Sequence, residues 1–388
     1  MFIKRLYHLM QREWAILTSD LRLLAIVLLV PIGYTLLLGS IYQPKRVSAI
    51  PTWVIDEDNS ALSRAVRDGV AYDETFSLVH EGGTIEEFRK ANLQGSAFAC
   101  IVIPKHFEAD VKRGHAARLL TLIDGSNMLI ANSVLRGAAS IGGTFSAGIL
   151  IKRLSMRGTP SGSALTAAVP VTSETRVWYN PAFDYLDFLL PGLLATVVQQ
   201  VTLLGVALAF TRERERKLTG DLLQITDSPL EVLLSKGIFY TLINLFTAAV
   251  AFTIAVRFFH MSLGGSLGLL AILLTVFIIA LVGLGLVVSA VCRDSLFATQ
   301  VLMLIAVPSF LFSGFTWPQI SMSGWVLGLS NALPLTHFVL PLRQIVVQGG
   351  NMEAVRSHLL WLWGLAGSCY AAAYPMVRLS LRREASKL

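Results

Sequence analysis

Asp56-Glu57-Asp58, the trio His337, Glu353 and His358, and the thiols Cys100, Cys292 and Cys369 are the residues whose types could do chemistry. Three adjacent carboxylates offer oxygen ligands to a hard cation, and imidazoles near a carboxylate are the material of proton transfer. Neither group develops into a site. The acidic run follows a strand-like Thr52 to Asp56 and precedes Asn59-Ser60, where a helix needs its cap, so turn and cap account for it. His337, Glu353 and His358 are too sparse to make a membrane-embedded transferase. The cysteines fall in three different regions, imply neither a disulfide framework nor a metal cluster, and read as small buried apolar residues. His8, His80, His106, His115 and His260 read as surface or interfacial. G-x-x-x-x-G-K-[ST] and H-E-x-x-H do not occur. The expectation is a chain with no catalytic residues and no metal, and not itself an enzyme.

A different kind of site is offered by Arg212-Glu213-Arg214-Glu215-Arg216-Lys217, which lies between two long apolar runs. Charges at a bilayer centre cost about 2.5 to 3.5 kcal/mol each, so this stretch belongs in the cytoplasm. Leu218, Leu222, Leu223 and Ile225 follow at near-helical spacing, and Pro229 can end that helix or start the next. One reading is a short cytoplasmic helix that docks into a partner, its alternating charges giving specificity. The other is a solvated charge run that stops a membrane span.

The elements that position these residues follow from composition. Of 388 residues 54% are hydrophobic and 15% charged, and the mean hydropathy is +0.62, too apolar for an ordinary soluble protein. Windows of roughly 20 apolar residues, enough to cross a bilayer, occur at Leu23 to Ile41, Leu186 to Phe210, Gly237 to Val256, Leu267 to Val291, Leu296 to Phe315 and Leu359 to Met376. Six spans are expected. The first is read as a retained anchor, since it is long and no small-x-small cleavage site follows it. Lys4, Arg5, Arg12 and Arg22, the 212–217 run, and Arg378, Arg382, Arg383 and Lys387 share one face under six spans, which the positive-inside rule makes cytoplasmic. The net charge of +7 and pI of 9.4 are then topological and call for no nucleic-acid partner.

The expected organisation is an interfacial helix over 1–22, span one over 23–42, an extracytoplasmic α/β domain with a long helix over 43–185, spans two to six over 186–380, and a cytoplasmic tail over 381–388. Ile3, Leu6, Met10, Trp14 and Leu17 make the first helix amphipathic, with a basic opposite face suited to the inner membrane surface. Within the insert, Thr52 to Asp56, Ala97 to Ile103 and Ala117 to Asp124 read as strands, Ser60 to Val70 and Lys105 to Arg113 as helices. A long helix follows Asn127 as far as Arg157. Its glycines weaken it unless a neighbour packs closely. Gly158 to Val171 reads as a flexible loop. Thr316 to His358 holds short apolar pieces broken by Pro318, Pro334 and Pro341, as half-helices on the outer side would be.

In order along the chain, these stretches resemble the permease subunits of ABC-2 type exporters. Glu213-Arg214-Glu215-Arg216, then Lys217-Leu218-Thr219-Gly220-Asp221-Leu222-Leu223, is similar to that family's loop after span two, E-R-E-x-G-T-x-E-x-L, which forms the coupling helix seated in the ATP-binding subunit. Arg12-Glu13, Asp20-Leu21-Arg22 and Pro31 resemble its elbow helix and first span. "IPTWVIDEDNSALSR" and the segment from Phe98 to Ala131 look like the extracytoplasmic domain of the subgroup with a large insert. "FLFSGFTWPQISMSGWVLGLSNALPLTHF" looks like the re-entrant segment after span five. The resemblance implies a six-span α-helical membrane bundle with an N-terminal interfacial elbow, a coupling helix over 212–227, a re-entrant segment over 316–341 before the last span, and an inserted α/β domain. It implies ATPase coupling through Glu213, Arg214, Glu215, Arg216, Leu222 and Leu223, and an elbow working through Arg12, Glu13, Asp20 and Arg22.

Partners follow from the same resemblance. An ABC ATP-binding subunit holds ATP and Mg, a second permease copy or a paralogue completes a dimer, and a periplasmic membrane-fusion adaptor is a further candidate. The place is the bacterial inner membrane, with both termini cytoplasmic. Polar Gln199, Gln200, Asn244 and Gln300 are expensive in lipid and should face protein or a cavity. Interhelical hydrogen bonding explains them; lining a substrate path, with Phe315, is the sharper alternative. The expected function is ATP-driven export of a small amphipathic, drug-like or lipid-linked compound. The rival is a non-transporting receptor or scaffold with an extracytoplasmic binding domain.

Overall fold

The computed structural model describes residues 2–156 and 176–385. It holds two compact units, one formed by Met1–Lys45 with Val177–Leu388 and the other by Arg46–Arg176. The loop expected over 158–171 lies outside the described residues.

The first unit is helical. Helix α1 spans Phe2–Thr18 and α2 Leu21–Tyr42. They part at Asp20, whose carboxylate accepts from the amides of Arg22 at 2.9 Å and Leu23 at 3.1 Å, satisfying donors that a helix start leaves free. After the insert, α7 (Tyr185–Glu215) begins on Asp184, which caps the Leu186 amide at 2.8 Å and is paired with Lys45 at 3.1 Å. Pro191, Pro31 and Pro308 lie inside helices, where each removes one backbone bond. Short α8 (Thr219–Ile225) leads to α9 (Pro229–Arg257), started by Ser228 and by Pro229 at the first turn, where its missing N–H costs nothing.

Helices α10 (Leu267–Val291), α11 (Ser295–Phe312), α12 (Gly324–Ala332), α13 (Thr336–Val346) and α14 (Met352–Ala385) complete the unit. In α7, 78% of the apolar window is buried inside the chain, against 22% in α2 and in α11, so α7 is the axis and those two present apolar faces outward. It packs on α2, α10 and α11. The approach is close: a Cβ on Gly192 would stand 2.3 Å from the Phe315 ring, and one on Gly285 2.7 Å from Val206. Small residues let helices meet at this range.

Six helices among the described residues are long and apolar enough to cross a membrane, or seven if the bent pair is one span. Five coincide with expected spans. The sixth expected span, inside α14, is not among them, because two Trp, two Tyr, Ser368 and Pro375 dilute its hydropathy. Its Leu362, Ala373 and Val377 are nonetheless buried in the core shared by the bundle. The added helix is α6 of the second unit, Met128–Arg153 by this measure. Helices α12 and α13 meet at 83° across a short break.

The second unit carries a four-stranded sheet of order β2-β1-β3-β4, with β1 (Ile50–Asp56), β2 (Phe76–Glu81), β3 (Ala99–Ile103) and β4 (Leu120–Ile123). Pairs β1–β2 and β1–β3 are parallel, β3–β4 antiparallel. Parallel neighbours need helical crossovers, supplied by α3 (Ala61–Tyr72) and α4 (Ile85–Leu93). Val54, Ile101 and Ile103 face α3, α5 (Phe107–Arg113) and α6 (Met128–Met156) through Val66, Val70, Phe107, Val134 and Ile141. Cys100 and Val102 point the other way, to Phe88 and Ala91 of α4. Strand β2 and helix α4 were not expected. The acidic run serves turns: Asp56 accepts from the amides of Asp58 and Asn59 and from Ser63 Oγ, and Asp58 accepts from the Glu108 amide at 3.0 Å.

Candidate functional site

The last turns of α7 carry charges on every residue from Arg212 to Glu215, and successive helical residues point about 100° apart. Each therefore finds a different neighbour. Glu213 turns inward and is 3% exposed. Its carboxylate pairs with Arg12 of α1 and lies 3.0 Å from the Lys236 ammonium of α9. Lys236, fully buried, also donates to Glu13 Oε1 at 2.6 Å and to the Ala209 carbonyl at 2.8 Å, with its Nζ 5.0 Å above the Phe210 ring. Arg12 donates its second Nη to the Leu218 carbonyl at 2.8 Å. Two cations and two carboxylates thus tie α1, α7 and α9 together and fix the start of α8.

The other members of the run go elsewhere. Arg212 pairs with Asp20 between α1 and α2, and Arg216 stands 3.7 Å from the same carboxylate while donating to Ser19 Oγ at 3.2 Å. Arg214 donates to the carbonyls of Ser289, Ala290 and Cys292, which the end of α10 leaves without intrahelical partners. Glu215 accepts from the Ser295 amide at 2.6 Å and its hydroxyl at 2.8 Å, at the start of α11. One helix end is thereby pinned to α1, α9, α10 and the start of α11.

Burial pushes the Glu13 carboxyl up to about 7, the Glu213 carboxylate adding to the rise and Lys236 opposing it. Asp20 is held below its ordinary value, first by the Leu23 amide and further by the Arg212 guanidinium.

Helix α8 rests on α1 and α14. Leu222 is buried and Leu223 half-buried, while Lys217, Asp221, Gln224 and Asp227 are exposed. Of the expected coupling residues, Glu213 and Leu222 face the protein's interior, Arg214 and Leu223 are half-buried, and Glu215 and Arg216 are exposed. Of the elbow residues, Arg12, Glu13 and Asp20 join these ion pairs, while Arg22 is exposed and contributes its backbone amide to the Asp20 cap. The face of α1 turned to the bundle is Leu9, Glu13 and Leu17; Ile3 and Trp14, expected on the apolar face with Leu17, are exposed.

Within the spans, Gln199 is fully buried and donates to the Ala306 carbonyl at 3.3 Å, joining α7 to α11. Asn244 accepts from Thr202 at 3.2 Å, joining α9 to α7. Gln200 is half-buried and Gln300 exposed. Phe315 packs against Gly192, stacks on Phe188 at 5.9 Å, and lies beneath the Arg343 guanidinium at 4.3 Å. Arg343 also donates to the Phe315 carbonyl at 2.6 Å.

Sequence reasoning gave no role to Lys236, Arg343 or Ser289. Lys236 had a readable signal: a cation at the edge of an apolar run demands a carboxylate partner. Ser289 had none, since its hydroxyl bridges the Phe210 amide and the Ala207 carbonyl across helices.

A model of the ABC-2 family of transporter proteins matches residues 21–374. Among curated relatives, the probable multidrug ABC transporter permease YbhR of Escherichia coli K12 is 25% identical over 379 residues, covering 96% of this chain and 98% of its own. The probable multidrug ABC transporter permease YbhS of the same strain is 27% identical over 270 residues, 69% of each chain. The inner membrane transport permease YhhJ, also from that strain, is 23% identical over 337 residues, 85% of each.

Proposed function

We infer the work of this chain from its family: it belongs to the ABC-2 family of transporter proteins and is a multi-pass membrane protein. It acts as a permease subunit, driven by ATP hydrolysis in a separate ATP-binding partner. ATP and Mg bind on that partner, since this sequence has no phosphate loop. A second copy or a paralogue completes the transporter, and the clustered cations near residues 4–22, 212–217 and 378–387 favour, by the positive-inside rule, both termini on the cytoplasmic side of the inner membrane.

The observation that carries this reading is the pairing of an exposed short helix with a buried ionic lattice behind it. Lys217, Asp221, Gln224 and Asp227 of and around α8 offer a charged face to a partner. The lattice of Arg12, Glu13, Glu213 and Lys236 makes α1, α7 and α9 move with it. Closure of the ATP-binding dimer then biases the bundle between two arrangements. The relatives named as multidrug permeases favour a drug-like cargo; its amphipathic character and its outward movement belong to this reading, and a lipid-linked compound is the other class.

The test purifies the chain from its native membrane and measures ATPase activity in what accompanies it, for wild type and for Asp221→Lys with Asp227→Lys. Activity with wild type, lost or uncoupled in the double reversal, supports the reading. No ATPase with wild type would overturn it in favour of a receptor or scaffold. Direction is read in inside-out vesicles, where ATP-dependent uptake of an amphipathic dye means export.

A further inference from the structure

The second unit has a cavity of about 690 Å³ between the sheet and α6, within the range of small-molecule pockets. On one wall α6 presents Leu135, Ala138, Gly142, Phe145, Ile149 and Arg153, spaced 3, 4, 3, 4 and 4 apart, which is one face of a helix. Small residues in the middle of that face make the room. The facing wall is Ile101 of β3 with its β4 neighbours Thr121 and Ile123, closed at one side by Phe107 and Val111 of α5.

Two features ask for an occupant. A Cβ on Gly142 would meet nothing within 4 Å, so the glycine that weakens this helix by about 1 kcal/mol against alanine is not compensated by a packed neighbour. Only 17% of the apolar window of α6 is buried in the chain. The charge of the lining is one-sided: Arg153 and His115 are its ionisable residues, with no carboxylate among the described lining residues. The Arg153 guanidinium reaches the end of α5, 3.9 Å from where a Gly114 Cβ would stand.

We propose that this cavity binds a small anionic amphiphile, its apolar body between α6 and the β3–β4 edge and its acid group on Arg153. An apolar trough with one cation at its end fits a fatty-acid-like molecule: the tail leaves water and the acid makes a charge-assisted hydrogen bond. The claim concerns binding alone and holds whether or not the chain transports, so its failure and a missing ATPase are separate results.

The test uses the full chain in nanodiscs of zwitterionic lipid, with a diazirine-bearing lauric acid and the corresponding alcohol as probes. Photolabelled peptides are mapped by mass spectrometry, with empty discs as background. The acid should label α6 and β4 peptides and outcompete the alcohol. Arg153→Gln should weaken capture of the acid about tenfold and leave the alcohol unchanged. Gly142→Phe should abolish labelling by filling the space, whereas Gly143→Phe, the same bulk at an exposed position outside the lining, should not. Label on α6 that persists in Gly142→Phe, equal capture of acid and alcohol, or no label in this unit overturns the proposal: the first means that the probe lies on the outer face of α6, the second that no acid group is recognised, the third that the trough takes no such ligand.

Discussion

Lys236 of α9 donates to Glu13 of α1 at 2.6 Å, although 223 residues separate them and both side chains are almost wholly buried. The same ammonium touches Glu213 of α7 at 3.0 Å, so three helices converge on one cation. Burying charge is costly unless each is matched, and here Arg12 and Lys236 face Glu13 and Glu213. With Glu13 ionised the arrangement is neutral as a group, and it holds only as a group.

Glu213 is the member the others depend on most. It touches both cations closely, whereas Glu13 accepts from Lys236 at 2.6 Å and stands 3.6 Å from Arg12. Glu213→Gln leaves two buried cations with Glu13 as their one carboxylate and should destabilise the chain by about 3 to 5 kcal/mol. Glu13→Gln should cost clearly less. Thermal aggregation of the two variants in detergent, side by side, checks the order; equal losses would refute the asymmetry.

Glu13 also predicts a pH dependence. Burial raises it from 4.5 to about 7, so the folded chain holds a proton there that the unfolded chain has released. The stability this adds is complete below the unfolded value and is lost as pH rises through about 7. The melting temperature of wild type relative to Glu13→Gln should therefore fall between about pH 5 and about pH 8. A flat or rising difference across that window contradicts the assignment.

How much of this was legible in the sequence follows from where the partners lie. The charged run was visible, and so was its exclusion from the bilayer, because both rest on local composition. That Arg12 reaches Glu213 and Asp20 reaches Arg212 was not visible: contacts across some 200 residues leave no periodic trace, and the face of α1 that enters the bundle contains Glu13 rather than Trp14. In the second unit, strands β1, β3 and β4 showed as apolar runs. Strand β2 did not, since Phe76–Glu81 buries mainly its first residue. Helix α4 did carry a signal: Thr84 and Glu87 form a reciprocal capping box, the pattern that announces a helix start.

Gly192 and Phe315 give a packing test. A methyl group on Gly192 would stand 2.3 Å from the Phe315 ring, which is itself held by the Phe188 stack and by Arg343. Gly192→Ala should cost about 1 to 3 kcal/mol through overpacking. Adding Phe315→Leu should return part of that loss, because the smaller side chain vacates the volume the methyl needs. Two independent losses in the double variant would show that the ring does not set the limit on residue 192.

Cys100 offers a readout of the second unit alone. It lies in β3, one of the two inner strands, with no exposed surface, and burial pushes its thiol up to about 12. The thiolate is the reactive form, so at neutral pH the folded unit should leave Cys100 unmodified for lack of both access and charge. In a Cys292→Ser and Cys369→Ser background, maleimide should label the chain only after denaturant opens the sheet, and the midpoint of labelling should track unfolding of the strand. Prompt labelling of the folded chain would mean that β3 is open to solvent and that its pairing with β1 is not the stable core of this unit.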